Sequence, residues 1–112
     1  MVIASCISTA RKYSKSSEEN YKITAFLVRN GKPFSIATNL GWKHAEARCI
    51  DQASSEKIKN SIMYVIRITK EGLGIAKPCK KCQGLIKDTT IKKVYYTTND
   101  NTLETWEFHE TD

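Results

Sequence analysis

Apolar residues at Ile3, Cys6, Ile7, Ala10 and Tyr13 recur every three or four positions, which is the buried stripe of an amphipathic helix. Residues 14–20 form a polar link, and residues 21–29 carry the β-branched and aromatic side chains of a strand. The dipeptide Asn30-Gly31 predicts a hairpin, because both residues accept the positive φ of a type I′ turn, and residues 34–38 are then the return strand. After the loop 39–43, the spacing of Ala45, Cys49, Ala53 and Ile58 predicts a second helix from His44 through about Lys59. Residues 61–69 are mostly apolar, as in a strand covered on both faces. Gly72 and Gly74 mark a turn, and Pro78 opens a third helix where its missing N–H costs nothing, with Cys79 to about Lys87 continuing it. Residues 94–98 are a fourth strand, Asn99-Asp100-Asn101 is turn chemistry, and residues 103–108 are a short fifth strand.

The order helix, hairpin, helix, strand, helix, strand, strand predicts a three-layer α/β fold with a mixed five-stranded sheet. Only a few turn residues follow Thr98, too few for a crossover helix, so the last two strands are expected to be antiparallel. At 112 residues the chain is expected to form one domain over positions 1–112, its C-terminal strand and tail, 104–112, being acidic. With 40% apolar and 27% charged residues it falls outside the disordered and fibrous classes. No run approaches the ~20 apolar residues of a membrane span, so no membrane partner is expected. Eighteen Lys and Arg face twelve Asp and Glu, for a net +6, and four of the acids (Glu104, Glu107, Glu110, Asp112) lie at the end. Before position 104 eighteen basic residues face eight acidic ones, a net +10, which favours phosphate-bearing partners, the competing reading being scattered lysines kept for solubility. A signal peptide is not expected, because residues 1–7 are too short an apolar run and no cleavage pattern follows. Residues 1–17 lack acids, as a mitochondrial transit peptide would, but their apolar stripe is that of an ordinary helix, so a cytoplasmic location is expected.

Four cysteines, Cys6, Cys49, Cys79 and Cys82, would suffice for two disulfides, yet a chain of this size buries a core without staples. Cys79-Lys80-Lys81-Cys82 reads instead as a metal or redox pair in a reducing compartment. Zinc takes imidazole and thiolate ligands in a tetrahedron, and catalytic sites use three protein ligands and leave the fourth position to water. His44, Cys79 and Cys82 make such a set, for one zinc per chain. The two cysteines, three apart, share one face of a first helical turn, where the helix N-terminus is expected to lower their pKa. Glu46, two residues past His44, approaches the same metal if the pair occupies the first turn, and there it would carry protons rather than ligate. Cys49 lies about 140° around a helix from His44 and, like Cys6, reads as a small buried apolar residue. A closed structural zinc site, with Cys49 or His109 as fourth ligand, is the competing reading of the same donors.

His44-Ala45-Glu46 and Pro78-Cys79-Lys80-Lys81-Cys82, separated by 31 residues, resemble the zinc-dependent cytidine deaminase-like superfamily, whose members carry this known signature. The likeness runs from the hairpin at 22–38 to the strand at 94–98. It implies two metal-bearing helices side by side on one face of the sheet. It further implies that His44, Cys79 and Cys82 bind zinc and that Glu46 is the catalytic proton shuttle. Asn39 would contact the substrate sugar or base, and Ala45 and Pro78 would line the pocket through backbone groups. The reaction implied is hydrolytic deamination, in which water adds to the amidine-like carbon of a base and ammonia departs.

Free cytidine deaminases usually follow the pocket Asn with a ribose-holding Glu two residues later, where this chain has Gly41. Trp42 is either a lid that stacks on the base or a core residue. Lys43, Arg48, Lys77, Lys80 and Lys81 cluster around the donors, as a mouth for phosphates or as a solvated rim. Phe34, Tyr95, Tyr96 and Trp106 either stack on bases or fill the core. The two-strand C-terminus resembles the branch containing cytidine and blasticidin deaminases and several polynucleotide-acting toxins, rather than that of tRNA adenosine and deoxycytidylate deaminases. That implies cytosine as the base and a homo-oligomer whose neighbouring subunits complete the pocket. The expected activity is therefore conversion of cytosine to uracil in a free (deoxy)cytidine nucleoside or nucleotide. The alternatives are a cytosine deaminase acting on single-stranded DNA or RNA, and a non-catalytic zinc-stabilised nucleic-acid-binding module.

Overall fold

A computed structural model of the protein describes residues 2–16, 22–39, 43–69, 72–100 and 102–106. The expectations for Gly41, Trp42 and His109 fall outside these residues. Helix α1 (Val2–Ser16) precedes the hairpin β1 (Lys22–Arg29) and β2 (Lys32–Thr38), followed by α2 (Ala45–Asp51), α3 (Ser55–Ile58) and β3 (Ile62–Thr69). A short β4 (Gly72–Gly74), α4 (Lys80–Lys87), β5 (Lys93–Thr97) and β6 (Leu103–Trp106) complete the order. The strands lie in the order β2-β1-β3-β5-β6, with β4 paired to β3 off this path. β3 and β5 are parallel, and β5 and β6 are antiparallel, as the short connection requires.

Each sheet face buries its own cluster. Met63, Val65, Val94 and Ala25 pack with Ala45, Cys49, Ile58 and Ile86 from the α2–α4 side. Phe26, Val28, Ile66 and Ile68 pack with Cys6 and Ala10 of α1 on the other face. The alternation of Met63 and Val65 with Ile66 and Ile68 along β3 thus serves both layers, and the expected three-layer mixed α/β arrangement is present. At the hairpin Asn30 has φ 55° and Gly31 φ 76°, the two positive values that a type I′ turn demands.

Three local expectations change. The helix expected over 44–59 is two helices, because Ser54 accepts the Lys57 N–H at 3.3 Å and caps a fresh turn. Gln52, between them, donates to the Ile36 carbonyl at 2.6 Å and to Ser35 Oγ at 3.1 Å, which fixes the end of α2 on β2. The glycines at 72 and 74 form a strand rather than only a turn: Arg67 pairs with Gly74 and Thr69 with Gly72. A Cβ at Gly74 would lie 2.8 Å from Thr69 Cγ2, so this close approach requires glycine. Where β4 gives way to β5, the buried Thr97 hydroxyl joins the strands, accepting from Arg67 N–H at 3.1 Å and donating to the Gly74 carbonyl at 2.7 Å. Finally, Pro78 lies before α4, whose N-cap position is Cys79 and whose first residue is Lys80.

Candidate metal centre

Two N-cap residues, His44 of α2 and Cys79 of α4, face one another across adjacent helices. Neither type is a preferred cap, and neither side chain makes a capping hydrogen bond, so both are left for another use. Their backbones are held firmly. Arg48 Nη1 donates to the Thr38 carbonyl at 2.5 Å, and Ser35 Oγ donates to the Cys49 carbonyl at 2.8 Å, so α2 is fixed along β2. The loop before Cys79 is pinned to β5 by Ala76 N–H on the Thr97 carbonyl at 3.0 Å. Gln83 fixes the first turn of α4, its backbone N–H on the Cys79 carbonyl and its Nε2 on the Pro78 carbonyl, both at 2.8 Å.

His44 Nδ1 lies 3.3 Å from Cys82 Sγ and 3.7 Å from Cys79 Sγ, and all three donor atoms fall within 4.8 Å of one another. Ordinary zinc–sulfur and zinc–nitrogen lengths at a tetrahedral angle place S and N about 3.6 Å apart, so the observed separations bracket what one zinc ion would need. Among the described residues no fourth His, Cys, Asp or Glu joins the cluster. Cys49 is fully buried, its thiol donating to the Ser35 carbonyl at 3.3 Å, and Cys6 is buried beneath α1, which gives both the packing role expected.

The electrostatics correct one expectation. The Cys82 thiol is pushed up to about 12, first by burial and then by the negative charge of Glu46 and by Cys79, with Lys81 acting against them. The helix N-terminus does not prevail, because Cys82 is only 5% exposed and faces a carboxylate. Ligation would require these thiols to lose their protons, and a cation bound between them would supply the positive charge that makes this favourable. Glu46 is also 5% exposed, and burial raises its carboxyl above the ordinary range, with its own backbone N–H and His44 pulling the other way.

A cavity of about 230 Å³ opens on His44 and Cys82, lined with them by Lys43, Ala47, Lys81 and Leu85, while Cys79 and Glu46 are not among its lining residues. Ala47 and Leu85 had not been singled out by sequence. The signal was their position three residues after His44 and Cys82, on the same helix faces. The other described substrate-contact candidates are not among the residues that line this cavity. Asn39 Oδ1 accepts the Ile23 N–H at 3.3 Å, Ala45 is packed in the core, and Pro78 is buried in the loop before Cys79. Of the basic cluster, Lys43 pairs with Asp51 at 2.5 Å, Arg48 holds the Thr38 carbonyl, and Lys77 lines a separate cavity with Tyr96 and Glu104. Of the aromatic residues, Tyr96 is buried and Phe34 and Trp106 pack against the core, whereas Tyr95 is half-buried and stacks on Tyr64 with centroids 5.2 Å apart.

An α/β fold with a His/Cys/Cys cluster at two neighbouring helix starts defines a zinc-binding hydrolase of the deaminase type. The chain belongs to the family described as cytidine and deoxycytidylate deaminase zinc-binding region, which matches residues 2–98. No curated protein matches it. Among solved structures, the dCMP deaminase of cyanophage S-TIM5 in apo form is similar, with a TM-score of 0.63 at 23% identity over 85% of this chain and 81% of that one. RibD of Acinetobacter baumannii is similar in two crystal forms, with a TM-score of 0.57 for each, at 18% and 19% identity over 85% of this chain. The chain spans 26% of RibD. At these identities the likeness is one of fold.

Proposed function

We propose that this site hydrolyses the cytosine of a free (deoxy)cytidine nucleoside or nucleotide to uracil, with His44, Cys79 and Cys82 as zinc ligands and Glu46 as the catalytic proton carrier. The observation that carries this reading is Glu46. A buried carboxyl costs stability unless it is paired, and this one is set against the donor cluster, where a purely structural metal site has no use for it. Zinc, when bound, lowers the pKa of water so that a nucleophile is available at neutral pH.

Glu46 takes a proton from the attacking water on a carboxylate oxygen and passes it to the ring nitrogen beside the reacting carbon. It then carries the remaining hydroxyl proton to the exocyclic amine. The C4–O bond forms, the C4–N bond breaks, and ammonia leaves with water consumed. Burial, which raises the Glu46 carboxyl above the ordinary range, favours the protonated form through which it passes between the two transfers. The Asn39 carboxamide oxygen is engaged by Ile23, so its NH₂ is the group to meet a sugar or base. Ala45 and Pro78, each next to a proposed ligand in the chain, would offer backbone groups, and Lys81 on the cavity wall favours a phosphorylated substrate. The antiparallel β5–β6 pair supports cytosine over adenine. The free thiols of Cys6, Cys49, Cys79 and Cys82 fit a reducing, cytoplasmic setting. No helix among the described residues is long and apolar enough to cross a membrane.

The test is a substrate panel. Zinc-loaded protein is incubated with cytidine, deoxycytidine, their monophosphates, adenosine and single-stranded oligonucleotides, and ammonia and uracil are measured. Turnover of a cytosine monomer is expected. Turnover of oligonucleotides alone would move the substrate to the polymer, and absence of turnover on every compound would refute the assignment.

A further inference from the structure

A second charged concavity lies at the far end of the layer that carries the metal centre. Hydrogen bonds set the direction: Arg48 meets Thr38, Gln52 meets Ser35 and Ile36, and Arg29 Nη1 donates to the Glu56 carbonyl at 3.2 Å. The path from His44 to Lys57 therefore runs beside β2 from Thr38 back toward Lys32. Six residue steps of strand cover about 20 Å, so the hairpin end is well removed from the donors.

There a cavity of about 230 Å³ is lined by Arg29, Asn30, Lys32, Pro33, Phe34 and Lys57. Three of the six side chains are cationic and none is acidic, and nothing in the deamination chemistry uses them. The Glu56 carbonyl fixes the Arg29 guanidinium through one nitrogen, leaving further donors of its planar fork for a phosphate. Phe34 is half-buried against the main core, so its ring is presented at little entropic cost.

We propose that this pocket binds the sugar-phosphate backbone of single-stranded nucleic acid, with Arg29, Lys32 and Lys57 on phosphates and Phe34 stacked on a base. Cations set beside an anchored aromatic ring are the two elements that sequence-tolerant strand binding needs. The net +10 before position 104 draws the same kind of polyanion. The inference stands apart from the deamination reading, since it concerns binding without turnover.

The experiment is fluorescence anisotropy of the zinc-loaded full chain with a labelled 12-residue oligothymidine, which contains no cytosine. Binding that weakens with salt is expected. Lys32→Glu with Lys57→Glu, which leaves the Arg29–Glu56 bond intact, should lower affinity about tenfold or more and reduce the salt slope by roughly 1.4. Lys87→Glu with Lys92→Glu, an equal change of charge outside the pocket, should cost less than about threefold, and Phe34→Leu should weaken binding several-fold. Thermal melts and zinc content should match the unmodified protein in the charge variants. Absence of oligothymidine binding, or equal losses in the two charge pairs, would overturn the proposal. A polyglutamate peptide binding as tightly, with the same sensitivity to the Lys32/Lys57 pair, would assign the pocket to an acidic protein segment instead.

Discussion

His44 and Cys79 sit at cap positions where Asn, Ser or Asp would better satisfy a helix end, and Glu46 is buried two residues further on. These local costs converge on one point, as expected where a site is assembled for chemistry. Glu46→Gln keeps the shape and removes the proton carrier. Turnover should fall by about 10²- to 10⁴-fold, while metal analysis still finds one zinc per chain; retained turnover would remove Glu46 from the mechanism. A second prediction concerns Cys49, whose thiol burial pushes up from 9.0 to about 11. The folded state then holds this proton more tightly than the unfolded chain, so stability is intact below pH 9 and declines as pH rises toward 11. A shift of that size corresponds to about 2–3 kcal/mol, and Cys49→Ala should show a flatter alkaline decline in urea unfolding. At this scale the metal donors were legible because each motif is short and its residue types are restricted by coordination chemistry. Ala47 and Leu85 were legible only in retrospect, since a cavity wall between two helices leaves no mark beyond helical spacing.

Elements were legible wherever local chemistry decided them. Asn30-Gly31 determined the hairpin, and the apolar run of β3 determined a strand covered on both faces. The break between α2 and α3 was missed because apolar spacing continues through it, whereas the decision lies with Ser54 and with Gln52 reaching across to β2. Ser54→Ala should therefore cost about 1 kcal/mol in chemical unfolding and leave zinc content unchanged. β4 was missed because its pairing depends on Thr97, far along the chain, and on the absence of a side chain at Gly74. Gly74→Ala forces a contact with Thr69 and should destabilise by about 1–3 kcal/mol, read as a lower midpoint in the same measurement.

The whole molecule places a sheet between α1 on one face and α2, α3 and α4 on the other, with the metal centre where α2 and α4 begin. The resemblance implies a homo-oligomer whose neighbouring copies complete the pocket. Light scattering on eluting protein should accordingly give a multiple of 12.7 kDa, and a strictly monomeric mass with full activity would rule that out. A metal held, as proposed, by side chains from both helices stabilises the folded chain, so chelation should lower the thermal midpoint in proportion to the affinity lost. The measurement that bears most directly on the account is zinc X-ray absorption on the purified protein. It should show one zinc per chain with two sulfur neighbours, one imidazole nitrogen and one exchangeable light atom. Metal-free folded protein, or a fourth protein ligand closing the tetrahedron, would contradict it.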